Sequence, residues 1–247
     1  MDFGGIVADI TRLPTASWAP LLAAELHPML ARVGVQMPLI DIAADILAGA
    51  GGEKAWKHTA NLQDDPAELS PRELWRMTSV HWPDAARALV EAEAIPLCTR
   101  IDSLRFQRTL RPGISEFLLY CQENGLPVAV VSNVIDGMAH RTFLDHHGLA
   151  PLVAAQLYSG ELGIRKPNPE MGRLACRALN RAPRQVWYVG DRYDTDVVFG
   201  KRAEFAATIL MRSGSTEDAN KVRRTQGDPA ATVEDPNGLL KLLEQVR

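Results

Sequence analysis

The chain has 247 residues and a formal net charge of -3, with 46% apolar and 23% charged residues. This is ordinary globular usage, which excludes a disordered chain and gives no electrostatic reason to expect nucleic acid as a partner. Cys98, Cys121 and Cys176 are too widely spaced for a zinc knuckle and odd in number for a closed disulfide framework, and the longest apolar stretch, Trp18 to Val35, is broken by Glu25, His27 and Arg32, so a cytoplasmic protein that enters no membrane is expected.

The chain opens on Asp2-Phe3-Gly4-Gly5, an acid followed by a glycine pair, which predicts a tight turn leaving a strand end. The numbering leaves no room for the strand that should end at Asp2, so residues preceding Met1 are expected to complete it. Leu13 to Arg108 has helix-period apolar residues, many alanines and no β-branched run, which predicts a separate helical bundle. Within it the glycines of 48–52 predict a turn. Ser70, Pro71 and Glu73 predict a helix start, with Ser at the cap, Pro at the first helical position and Glu three residues after the Ser. Lys54, Trp56, Lys57 and His58 follow the glycines and are candidates for contacting a substrate, though an exposed helix face is the stronger reading.

From Leu110 onward short β-branched runs alternate with amphipathic stretches, the pattern of a doubly wound parallel sheet with crossover helices. Helices are predicted at Ile114 to Asn124, Asp136 to His147, Pro169 to Asn180, Thr195 to Ala203 and Asn237 to Gln245. Strands are predicted at Pro127 to Val131, Val153 to Tyr158, Gln185 to Val189 and Ala206 to Leu210. Arg212 to Pro229 is polar and predicted to be a surface loop. The domains are therefore 1–12 with 109–247 as an α/β core, and 13–108 as an inserted helical domain.

Three further segments carry chemistry. The strand Val128 to Val131 runs into Ser132 and Asn133, and ligands of open α/β sheets bind beyond the carboxyl ends of strands, so Ser132 and the Asn133 backbone would face an anion. A plain Ser-Asn helix cap is the alternative. Lys166 precedes Pro167 just before a helix, where it could neutralise a phosphoryl group and a nearby carboxylate. The strand Val186 to Val189 runs into Gly190-Asp191, with Asp194 and Asp196 following. Carboxylates gathered at a strand end suit a hard cation such as magnesium, and one of these acids could simply cap the next helix.

In this order, each after a predicted strand, the four segments resemble the motifs of the haloacid dehalogenase-like (HAD) hydrolase superfamily, and the resemblance covers the whole chain. Arg111-Pro112-Gly113, where the core resumes, and the insertion directly after the first motif are similar to members with a C1-type cap. The resemblance implies a Rossmann-like core and hydrolysis of a small phosphorylated molecule. Asp2 would be the nucleophile that forms an aspartyl-phosphate, with Ser132, Asn133 and Gly5 around the phosphoryl oxygens and Lys166 offsetting their charge. Mg2+ would be held by Asp2, the Gly4 carbonyl, Asp191 and Asp196, with orientation of Lys166 as the other role for Asp196. The sequence departs from the phosphatase pattern at Gly4, where the family's usual second Asp is the general acid. That departure implies a good leaving group, a substitute acid, or little activity. The rival readings are a phosphonatase-like enzyme using a cap lysine, a dehalogenase, and a non-catalytic protein on the same scaffold.

Overall fold

The computed structural model describes residues 1–223 and 227–246. The chain divides into two compact units. One comprises Met1–Ile10, Gln63–Glu68 and Arg108–Arg247, the other Thr11–Leu62 and Leu69–Gln107. Gln63–Glu68, expected within the helical insertion, thus belongs by its contacts to the α/β unit. Strands β1 (Ala8–Arg12) and β2 (Phe106–Leu110) pair with each other.

The helical unit contains α1 (Thr15–Arg32), α2 (Leu39–Ala60), α3 (Pro71–Thr78), α4 (Asp84–Ala92) and α5 (Ala94–Arg105). Trp18, Leu22, Leu26 and Leu30 bury one stripe of α1 at four-residue spacing. The Ser70–Glu73 capping box forms in both directions, Glu73 N–H to Ser70 Oγ at 3.2 Å and Ser70 N–H to Glu73 Oε2 at 2.8 Å. The turn expected at 48–52 does not form, because α2 runs straight through it. Gly49 instead lets α3 approach: a Cβ there would stand 2.1 Å from Thr78 Oγ1.

In the α/β unit, α6 (Ile114–Glu123) leads to β3 (Ala129–Ser132), α7 (Met138–His146), β4 (Ala155–Tyr158), the short α8 (Ser159–Leu162) and α9 (Pro169–Leu179). Strand β5 (Trp187–Gly190), α10 (Val198–Arg202), β6 (Ala207–Met211), α11 (Glu217–Arg223), β7 (Ala231–Val233) and α12 (Pro236–Gln245) complete it. The pairs β3–β4, β5–β6 and β6–β7 are all parallel. Met1 and Asp2 bridge the two sheets: Met1 N donates to Ala129 O and Val131 N–H to Met1 O, both at 2.8 Å, and Asp2 N–H donates to Val189 O at 2.8 Å. Asp2 therefore stands between the carboxyl ends of β3 and β5.

Strand alternation sends Val130, Val189 and Ile209 into one apolar cluster with Phe3, Ile6 and Leu118, and Ala129, Val131 and Tyr188 into another with Met171 and Phe199. Both faces of the sheet are covered, as a doubly wound α/β fold requires. The loop expected over Arg212 to Pro229 contains α11; residues 224–226 of it lie outside the described residues. Tertiary hydrogen bonds hold this helix to the strand end. Asn220 Nδ2 donates to Asp191 O at 2.7 Å and Tyr193 N–H to Asn220 Oδ1 at 3.1 Å. Among the described residues no helix is long and apolar enough to cross a membrane.

Candidate active site

Asp2, Asp191 and Asp196 each bring a carboxylate oxygen within 4.8 Å of the other two. Lys166 lies among them, with Nζ 3.1 Å from Asp2 Oδ2 and 2.7 Å from Asp196 Oδ1. The local backbone explains the convergence. Asp191 leaves the end of β5, and the residues after it wind into a wide π-helical turn, Tyr193–Val197, a geometry that recurs at functional sites. The turn brings Asp196 back over the strand end, where its Oδ2 accepts from Asp191 N–H at 3.1 Å and Arg192 N–H at 3.0 Å. Its other oxygen accepts from Lys166 and from Tyr188 Oη at 3.2 Å. Both oxygens are thus engaged, and Oδ1 holds the Lys166 ammonium directly.

The side chain of Asp2 keeps 13% exposure, whereas that of Asp196 has none, so Asp2 is open to an incoming group. Phe3 N–H donates to Asp2 Oδ1 at 2.8 Å. Burial pushes the Asp2 carboxyl above the ordinary carboxylate range, against the pull of Lys166 and with a further push from Asp196. Asp191 is raised well above that range by burial, then by the charges of Asp196 and Asp2. Burial opposes the charge on Lys166, but Asp196 and Asp2 hold its ammonium above its ordinary value. Three carboxylates therefore face one ammonium. The donor set is hard oxygen with surplus negative charge, which fits a divalent cation such as magnesium.

The first motif forms the tight turn its glycines predicted, with Val7 N–H bonded to Phe3 O and Gly5 N–H to Ala8 O, both at 2.8 Å. Gly5 has φ +71°, and a Cβ there would meet Asp191 Oδ2 at 2.2 Å, so only glycine lets the turn and the carboxylate coexist. At Gly4 an added Cβ would stand 3.0 Å from Ile10 Cδ1. Ser132 is buried at the end of β3. The Asn133 side chain is bonded to the Lys166 backbone in both directions, Lys166 N–H to Oδ1 at 2.8 Å and Nδ2 to Lys166 O at 2.9 Å. Both polar atoms of the Asn133 side chain are thus engaged by the loop that carries Lys166.

Lys54, Lys57 and His58 lie on α2 in the helical unit. The Lys57 ammonium is committed to Glu53 at 2.6 Å, and Glu53 also takes Arg105 at 2.6 Å. Burial alone would raise the Glu53 carboxyl, but Lys57 and Arg105 hold it down at about 2.

Sequence reasoning missed three residues at the strand ends. Tyr188 lies under Lys166, accepting from its ammonium at 2.7 Å. Arg111 ties down the first motif through Gly5 O and also reaches Arg212 O at 2.9 Å and Glu234 O at 3.1 Å. Glu68 is buried against Ser159 and Arg165. Tyr188 stood inside the predicted strand Gln185 to Val189, Arg111 in the segment where the core resumes, and Glu68 carried no local signal.

A family model of haloacid dehalogenase-like hydrolases matches residues 72–204, more than half of the chain. The chain belongs to this family. It is 32% identical to a phosphoserine phosphatase of Thermus thermophilus over 136 residues, 55% of this chain and 51% of that protein. It is 28% identical to a glyceraldehyde 3-phosphate phosphatase of Methanopyrus kandleri over 137 residues, 55% of this chain and 57% of that protein. The matches span little more than half the length of these curated relatives. Among solved structures, a 2-haloacid dehalogenase from Pseudomonas syringae superposes with a TM-score of 0.60 at 18% identity, covering 100% of this chain and 97% of that one. A HAD phosphatase from Thermococcus onnurineus gives 0.59 at 14% identity, with 98% and 95% covered. These structural likenesses establish the HAD fold.

Proposed function

We propose that this HAD-family protein is a magnesium-dependent hydrolase of small phosphate monoesters with Asp2 as nucleophile. One observation carries the reading: three carboxylates and one lysine converge where β3 and β5 end, with a surplus of negative charge. The phosphatase names of the relatives support it. Asp2, Asp191 and the Gly4 carbonyl would hold the cation, which when bound supplies Lewis-acid neutralisation of the phosphoryl charge. Asp2 Oδ attacks phosphorus, forming an acyl phosphate as the ester P–O bond breaks and the leaving oxygen takes a proton from solvent water. Water then attacks phosphorus, releasing phosphate and restoring the carboxylate. Lys166, held by Asp196 and Tyr188, offsets charge on the phosphoryl oxygens. Ser132 and the Asn133 and Gly5 backbones surround them.

Because Gly4 supplies no general acid, turnover should favour esters with good leaving groups, aryl over alkyl phosphates by about 10² in kcat. The test is phosphate release from a metabolite and aryl-phosphate panel, with and without magnesium. Asp2→Asn should lower kcat by on the order of 10⁴ or more, the loss expected of a nucleophile. Turnover without magnesium, or an Asp2→Asn variant as active as wild type, would contradict the proposal. The surplus of carboxylates also argues against a dehalogenase, whose chemistry needs no cation.

A further inference from the structure

Residues 63–68, in the middle of the helical stretch of the sequence, are stitched into the α/β unit beside the loop that carries Lys166. Glu68 N–H donates to Gly163 O at 2.9 Å, Arg165 N–H donates to Pro66 O at 3.1 Å, and Ala67 forms an antiparallel bridge with Ile164. Arg202 Nη1 fastens the segment's start, reaching Gln63 O and Asp64 O, both at 2.9 Å. The Glu68 side chain has no exposure. Its Oε2 accepts from Ser159 Oγ at 2.6 Å and its Oε1 from Arg165 Nη1 at 3.3 Å.

These contacts close a ring. Ser159 Oγ accepts from Val134 N–H at 2.8 Å. Val134 follows Ser132 and Asn133, and Asn133 grips the Lys166 backbone in both directions. Lys166 is joined covalently to Arg165, which returns to Glu68. One buried carboxylate therefore ties together the two loops that present Ser132, Asn133 and Lys166.

We propose that Glu68 is a positioning residue for the phosphoryl-holding loops, supplied by a segment that the helical insertion lends to the core. The proposal rests on the hydrolase reading above. Glu68 touches no reacting atom; it sets where the strand-end backbone and Lys166 stand relative to each other. Reactions that depend on near-attack geometry lose rate steeply when such groups shift, so the effect belongs in kcat rather than KM.

The test is a double-mutant cycle on folded protein, with Glu68→Gln, Ser159→Ala and both together, reading kcat and KM for p-nitrophenyl phosphate and amide hydrogen exchange at Val134 and Lys166. Each single variant should lower kcat by about tenfold with KM little changed, and the double variant should fall by less than the product of the two, because Glu68 and Ser159 belong to one ring. Exchange at the two amides should quicken by about tenfold in either variant. A folded Glu68→Gln variant with wild-type kcat and wild-type exchange would overturn the proposal, as would single effects that multiply in the double variant. Ser159→Ala keeps the measurement possible should the loss of charge beside Arg165 prevent folding. If wild-type protein hydrolyses no phosphate ester, the hydrolase reading fails while the exchange rates still decide the role of Glu68.

Discussion

In the helical unit one buried carboxylate, Glu53, faces two cations, Lys57 and Arg105. At the strand ends of the α/β unit three carboxylates face the single ammonium of Lys166. The first cluster neutralises its own carboxylate, and Glu53 is held at about 2. The second cannot, and both Asp2 and Asp191 are pushed upward. Burying a charge without a partner is costly, so carboxyls gathered where they push one another upward point to a ligand of opposite sign. The helical cluster is closed by its own cations; the strand-end cluster is not, which is what the cation and phosphoryl roles proposed above would answer.

The largest contrast should come from removing one member of each cluster. Glu53→Gln leaves Arg105 and Lys57 without their counter-charge and should destabilise the protein by about 3–5 kcal/mol, read from urea unfolding. Asp191→Asn removes a repelling charge and should do the opposite in the absence of magnesium, raising stability by about 1–2 kcal/mol while abolishing turnover.

The pH dependence should differ in sign as well. The folded value of Glu53, about 2, lies below its ordinary 4.5, so its stabilisation is complete above 4.5 and is lost as pH falls towards 2. For Asp2 and Asp191 the folded values lie above the unfolded ones, so without magnesium the fold binds the extra protons. Their contribution is most favourable at low pH and is lost as pH rises from the ordinary carboxylate range through the folded values. Melting temperatures across pH in chelator, for wild type against each of the two variants, separate these opposite slopes.

Much of this contrast was legible before the structure. Lys166, Asp191 and Asp196 each lie beyond a strand, and strands announce themselves through runs such as Val128–Val131 and Val186–Val189, so the chain's own order places chemistry at the sheet's edge. The Ser70 capping box was equally legible because all its atoms lie within four residues. What failed was whatever depends on distant neighbours. Gly49 and its companions looked like a turn because local propensity cannot distinguish a glycine that bends the chain from one that admits Thr78. Helix α11 was missed because the bonds that hold it, from the Asn220 side chain to the Asp191 and Tyr193 backbone, join residues far apart in the sequence. Glu68 is 91 residues from Ser159 and had no pattern to betray it.

The central claim, that the strand-end carboxylates await a divalent cation, is tested most directly by following the thermal unfolding midpoint of wild type and Asp191→Asn as magnesium is added. Wild type should gain stability with the logarithm of concentration, about 2.7 kcal/mol at a hundred times its dissociation constant, and Asp191→Asn should gain almost none. An unresponsive wild type, or an equal response from both proteins, would contradict the account.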